Sequence, residues 1–305
     1  MKCAAIDIGT VTTRLLIAEV TDGRVTELLR RIEITHLGAD LGMTGQLDAG
    51  GIERVAAACA QFRSLVDEQH VEACRCVATS AARDADNTDE LAEKLARPNL
   101  QLEVISGEEE AQLSFAGATY GRCGKGLLVV DPGGGSTEFV LGDLPGQVQF
   151  SRSLQIGSQR MTDAMLGSDP PTRVELAYCS AVVRDLLTSA LSELHGQVRE
   201  MIAVAGTATT MVTVRDGIDP YDATRVQGAC VTRSDLQALM RRFRLIPTSE
   251  REAIRGLEPQ RASVIVAGTL ILQEILDYLG LEQFCVSDTD LLYGILLKLP
   301  VQAGV

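Results

Sequence analysis

No segment of this sequence approaches the roughly 18 consecutive apolar residues needed to cross a bilayer, so a membrane partner is not expected. Basic residues are also scarce: 28 Lys and Arg stand against 41 Asp and Glu, a net charge of −13. Binding along a nucleic-acid backbone wants a basic face, so neither DNA nor RNA is expected as the main partner. The deficit leaves room for a small or linear phosphate substrate. At a Debye length of about 8 Å remote carboxylates are screened, and a few arginines with a cation set the local field. Histidine is rare, and His36, His70 and His195 show no metal-ligand spacing. The eight cysteines (3, 59, 74, 76, 123, 179, 230 and 285) are scattered, mostly inside apolar runs, and predict buried reduced thiols of a cytosolic protein. The chain opens on an apolar strand pattern and not on a signal peptide.

What is present is organised around LLVVDPGGGSTEFVLG, residues 127–142. An apolar run ends in Asp131, three glycines follow, then Ser136 and Thr137, and apolar residues resume at Phe139: strand, tight turn, strand. The glycines remove every Cβ from the tip, so that several N–H groups can point at one anion, for which phosphate is the natural guest. Ser136 and Thr137 add hydroxyl donors, and Asp131 stands where a carboxylate could hold a divalent cation or a water. A second copy lies at the N-terminus. AAIDIGTVTTRLLIAEV, residues 4–20, aligns without a gap at an offset of 124, pairing Asp7 with Asp131 and Gly9 with Gly133. A weaker echo relates CVATSAARDADN (76–87) to MIAVAGTATTMV (201–212). Duplication of this kind implies two related domains, which suits a 305-residue chain.

In order, three strands (2–8, 14–20, 24–35) precede a helix from 49 to 69 capped by Asp48. There follow a strand at 71–78, short helices bearing Arg83 and spanning 88–96, and a strand at 100–105. A helix then opens at Ser106 with Glu109 completing a capping box. The second half repeats the order: strands at 126–131, 136–141 and 146–154, helices at 157–166 and 172–193, and a strand at 200–205. Next come a helix after Gly206, a strand near 226–231, helices at 233–244 and 260–279, a strand at 284–286 and a helix at 288–299.

The two hairpins, TSAARDADN (79–87), ISGEEEA (105–111), AGTATT (205–210) and VSDTDLLYGILL (286–297), in this order, resemble the exopolyphosphatase and guanosine pentaphosphate phosphatase family. That family belongs to the acetate kinase, sugar kinase, Hsp70 and actin superfamily. The resemblance implies an α/β fold of two duplicated ribonuclease H-like (actin-like ATPase) domains facing a cleft. Residues 1–120 with 287–305 would form the first domain and 121–286 the second. It implies hydrolysis of the terminal phosphoanhydride of inorganic polyphosphate, with guanosine pentaphosphate as a related substrate, magnesium or another divalent cation as cofactor, a cytoplasmic location and a homodimer.

Carried over by motif, the phosphate-binding set is Gly9, Thr10, Arg14, Arg83, Gly133, Gly134, Gly135, Ser136, Thr137, Gly206 and Thr207. Asn87 supports it. Asp7, Asp131 and Glu138 would hold the metal, and Glu110, Asp131 and Glu138 form the catalytic set with Glu110 as general base. At 100° per residue Glu108 falls on the other side of the helix from Glu110, while Asp288 and Asp290 read as capping acids. The family pattern is broken at Val11, at Pro132, which removes an N–H, and at Gln227. Two other classes stay open: a phosphotransferase of the same superfamily acting on polyphosphate or nucleotide, and a non-catalytic regulator that binds the alarmone or polyphosphate.

Overall fold

A computed structural model describes residues 1–39, 41–144 and 148–299. The chain divides into two compact units, residues 1–120 with 290–305, and residues 121–289. The first carries β1 (Lys2–Ile8), β2 (Thr12–Thr21), β3 (Arg24–Ile34), β4 (Ala73–Ala78) and β5 (Leu102–Val104), ordered β3-β2-β1-β4-β5. The meander pairs antiparallel and β4 and β5 join parallel to it.

Strand β1 is buried on both faces, which is why its sequence reads as an almost unbroken apolar run. Its alternation still sorts the core. Ala4, Ile6 and Ile8 pack with Ile52, Val55 and Phe62 of the Ala49–Glu68 helix and with Leu91 and Leu95 of the Thr88–Ala96 helix. Cys3 and Ala5 face Leu113 of the Gly107–Ala118 helix and Leu292, Ile295 and Leu296 of the Leu291–Lys298 helix. Those last two helices cross at glycines. A Cβ on Gly117 would lie 1.8 Å from the Asp290 carbonyl oxygen, and one on Gly294 would lie 1.9 Å from that of Leu113.

The second unit carries β6 (Gly124–Pro132), β7 (Thr137–Leu144), β8 (Val148–Leu154), β9 (Glu200–Ala203), β10 (Cys230–Thr232) and β11 (Gln283–Val286). Their order is β10-β11-β9-β6-β7-β8, so five of the six reproduce the first sheet, with β6 in the place of β1, and β10 is added at the edge. Each unit is thus a mixed-sheet α/β domain of the ribonuclease H-like, actin-like ATPase type. The core of this unit gathers Leu128, Val130 and Phe139 of the hairpin with Cys179 and Val183 of the Arg173–Ala190 helix and Ile271 and Ile275 of the Ile265–Leu279 helix.

Several local expectations are corrected. Residues 223–226 form a short helix, and the strand expected near 226–231 is only Cys230–Thr232, because Gly228 turns the chain at φ 77°. The expected start of β8 at 146 lies outside the described residues. Ser106 does cap its helix, accepting from the Glu109 N–H at 3.1 Å, but the Glu109 carboxylate bonds Arg75 at 2.8 Å instead of closing the box. Full capping boxes occur at Thr172 with Glu175 and at Thr232 with Asp235. Not all the thiols are reduced: Cys230 and Cys285, directly opposite on antiparallel β10 and β11, form a disulfide, and of the free cysteines Cys123 is exposed. No helix among the described residues is long and apolar enough to cross a membrane.

Candidate active site

In the first hairpin Asp7 and Arg14 sit directly opposite each other on β1 and β2. Asp7 is buried, and its Oδ2 accepts from Arg14 Nε at 2.9 Å and Nη2 at 2.5 Å. Arg14 Nη1 donates to Asp290, itself buried at the head of the Leu291–Lys298 helix, where its Oδ1 accepts from the Leu292 N–H at 3.0 Å. One guanidinium therefore joins two buried carboxylates, each side chain only 5% exposed. Burial pushes the Asp7 carboxyl above its ordinary pKa while the adjoining guanidinium pulls it back. Its Oδ1 is buried without a hydrogen-bond partner among the described residues. The loop between the strands is held from behind. The Thr10 carbonyl accepts from Gly38 N at 3.0 Å, and the Val11 carbonyl from Thr35 N at 2.8 Å and His36 N at 2.9 Å.

Glu110 and Arg83 meet in this same unit. Arg83 Nη1 donates to Glu110 Oε2 at 2.9 Å and to the Ile105 carbonyl at 3.2 Å, while its Nε and Nη2 have no partner among the described residues. Glu110 is 8% exposed, and burial raises its pKa. Arg83 opposes that rise, Asp7 adds to it, and Arg14 also lowers it, so both members of the hairpin pair lie within electrostatic reach. Glu108 is exposed, on the other side of the helix. Asn87 fastens the chain at Leu47, accepting from its N–H at 2.7 Å.

In the second hairpin the positions of Asp7 and Arg14 are taken by Asp131 and Glu138, again directly opposite each other. Glu138 is buried, and its Oε1 accepts from the hydroxyls of Ser136 at 2.6 Å and Ser153 at 2.8 Å. The Thr137 hydroxyl donates to the Ile156 carbonyl at 2.6 Å and the Thr207 hydroxyl to that of Pro132 at 3.2 Å. These hydroxyl protons are thus engaged within the protein, and what the loop offers a ligand is its backbone.

That backbone is oriented by the Ser158–Met165 helix. Gly133 O accepts from Ser158 N at 2.9 Å, Gly134 O from Gln159 N at 2.9 Å and Arg160 N at 3.1 Å, and Gly135 O from Arg160 Nε at 2.8 Å. The contact is close enough that a Cβ on Gly157 would lie 2.2 Å from Gly134 O. A trans peptide points its N–H opposite its carbonyl, and these peptides are all trans. The N–H groups of Gly134, Gly135 and Ser136 therefore face away from the helix, and among the described residues they donate to no acceptor. Three successive amide donors without an acceptor on one glycine loop are the arrangement that can meet an anion. Gly206 and Thr207 open the Ala205–Asp216 helix beside the end of β6, behind Ala205, a non-glycine residue at φ 63°.

The residues thus fall into two sets. Asp7, Gly9, Thr10, Arg14, Arg83 and Glu110 belong to the first unit, and Asp131, Gly133 to Glu138, Gly206 and Thr207 to the second. Sequence reasoning missed two residues tied to these sets. Asp290 was read only as a cap, although it lies in the VSDTDLLYGILL motif, and Arg160 had no local signal because its partner is a carbonyl 25 residues away.

The profile of the Ppx/GppA phosphatase family matches residues 16–301. Exopolyphosphatase 2 of Mycobacterium tuberculosis is 38% identical over 98% of this chain and 98% of its own. Among solved structures, the Aquifex aeolicus PPX-GPPA enzyme superposes with a TM-score of 0.84 at 34% identity, covering 98% of this chain and 99% of that one. An exopolyphosphatase-like protein gives a TM-score of 0.91 at 34% identity, covering 97% and 96%.

Proposed function

Because the chain belongs to the Ppx/GppA phosphatase family, we propose that it is an exopolyphosphatase, hydrolysing the terminal phosphoanhydride of inorganic polyphosphate and releasing orthophosphate. The observation that carries this reading is the loop at 133–136, where the carbonyls of Gly133, Gly134 and Gly135 are all bonded from one helix and the amides of Gly134, Gly135 and Ser136 are left for an anion. Arg83 offers Nε and Nη2 to a phosphate while its Nη1 holds Glu110, which sets a phosphate ligand and a base side by side. Arg14 serves the phosphate from within its cluster with Asp7 and Asp290, and Gly9, Thr10, Gly206 and Thr207 complete the binding set.

In the reaction the water oxygen forms a bond to the terminal phosphorus, the bridging P–O bond breaks, and the shortened chain leaves with the bridging oxygen. Glu110 takes the proton of the water. Burial raises the pKa of this carboxyl, and the Arg83 guanidinium opposes the rise and so favours the ionised form that a base requires. A divalent cation, magnesium in this reading, would neutralise charge on the transferring phosphoryl group when bound. Asp131 and Glu138 fit it, as hard oxygen donors directly opposite each other, and the unpartnered Oδ1 of Asp7 suits an ion or a water it carries. No group of three or more acidic, histidine or cysteine side chains converges among the described residues, so waters and substrate oxygens would complete the shell. Homodimerisation and a cytoplasmic location belong to the same reading, and light scattering reads the first.

The test is to incubate the protein with polyphosphate, guanosine pentaphosphate and ATP separately, with magnesium, and measure orthophosphate. Release from polyphosphate that stops on chelation is expected. Release from guanosine pentaphosphate alone would reassign the substrate. Phosphate transfer from ATP that depends on an acceptor would mark a phosphotransferase, and binding without any release a regulator.

A further inference from the structure

The Gly135–Ser136 peptide differs from its neighbours in what holds its carbonyl. Gly133 O and Gly134 O are bonded by backbone N–H groups of the Ser158–Met165 helix, but Gly135 O is bonded by a side chain, the Nε of Arg160 at 2.8 Å. Arg160 is half-buried and makes no other side-chain bond among the described residues, so its cation is aimed at this one carbonyl. We infer that Arg160 is a positioning residue for phosphate binding, orienting and polarising the Gly135–Ser136 peptide from behind so that the Ser136 N–H faces the bound anion. The inference rests on reading the 133–136 loop as the phosphate site.

Two physical effects support it. A charge-assisted bond is shorter and about twice as strong as a neutral one, so it resists rotation of a peptide whose glycine neighbour restrains it little. Drawing electron density toward the carbonyl oxygen also makes the N–H of the same amide a better donor, as in any polarised hydrogen-bond chain. The neighbouring peptides need no such help, because the helix backbone already fixes their carbonyls. The Ser136 side chain cannot substitute, since its hydroxyl is engaged with Glu138.

The experiment follows the Ser136 amide by nuclear magnetic resonance while tripolyphosphate and magnesium are added to the full chain. In the wild-type protein its proton should move downfield on binding. In Arg160→Met, which keeps the bulk and loses the donor, that movement should shrink and the dissociation constant rise roughly tenfold, the usual scale for losing one hydrogen bond to a charged group. Arg160→Lys should restore most of both. Unfolding midpoints are measured alongside, and Arg160→Lys, which keeps a donor for the buried Gly135 carbonyl, should unfold with the wild type while Arg160→Met unfolds slightly earlier. A Ser136 amide that responds equally in Arg160→Met and wild type overturns the inference, as does a Lys variant no better than Met. If wild-type Ser136 fails to respond, both the inference and the phosphate-loop reading fall. If it responds but no orthophosphate is released, only the hydrolytic reading falls.

Discussion

The two hairpins share one backbone and carry opposite electrostatics. In each, an aspartate at the end of the first strand lies directly across from a residue on the second, but the partner is Arg14 in one and Glu138 in the other. The first hairpin neutralises its buried carboxylate internally, and with Asp290 it forms a cluster of two acids and one base. The second places two acids opposite each other, and Glu138 accepts from the hydroxyls of Ser136 and Ser153. A duplicated scaffold thus supplies the same turn twice while one exchanged position decides whether the aspartate faces a guanidinium or a second carboxylate across the hairpin. The loops are also braced differently, by the 35–38 segment in one case and by a helix start in the other, yet each brace takes hold of the loop's carbonyls.

The largest expected effect falls on the acid beside Arg83. Glu110→Gln should keep the Michaelis constant for polyphosphate while lowering turnover by roughly 10²-fold or more, and the exposed Glu108→Gln should be nearly silent. Turnover of Glu110→Gln at the wild-type rate would show that the base has been misassigned.

Next comes the contrast between the hairpins. Arg14→Gln leaves Asp7 and Asp290 buried without their cation and should cost about 3–5 kcal/mol in urea unfolding. Glu138→Gln keeps an Oε1 acceptor for the Ser136 and Ser153 hydroxyls, so it should change stability less while raising the magnesium concentration needed for half-maximal rate. Equal stability losses in the two variants would erase the distinction.

A smaller effect is a displacement in pH. Glu110 must be ionised to act, and burial raises its pKa, so turnover should fall with acidification at a pH above the ordinary glutamate range. Arg83 is the main influence holding that pKa down, so in Arg83→Gln the acid limb should move to still higher pH. A limb that stays in place would separate Glu110 from the titration. Smallest of all, Ala205→Gly should relieve a left-handed backbone position at φ 63° and stabilise the second unit by about 1 kcal/mol, raising its thermal midpoint by about 2–4 °C. A lowered midpoint would mean that the methyl group contributes more to packing than the backbone loses in strain.

Features encoded within a short window were legible before any coordinates. The 124-residue offset exposed both hairpins, apolar periodicity placed the long helices, and counting around one helix separated buried Glu110 from exposed Glu108. These follow from local geometry: a strand alternates every two residues, a helix turns every 3.6, and glycine marks a tight turn wherever the chain runs. Tertiary structure decided the partners. Arg14 reaches Asp290 across 276 residues because two helices pack closely at Gly117 and Gly294 and set the head of the last helix beside β2. Cys230 meets Cys285 across 55 residues through strand register, and Glu109 leaves its cap for Arg75 on the adjoining strand β4. The direction of the loop amides was likewise invisible in the glycines themselves. Glycine permits either orientation of a peptide, and only the helix beginning at Ser158, packed against the loop with Arg160 at Gly135, selects the one that leaves three N–H groups facing outward.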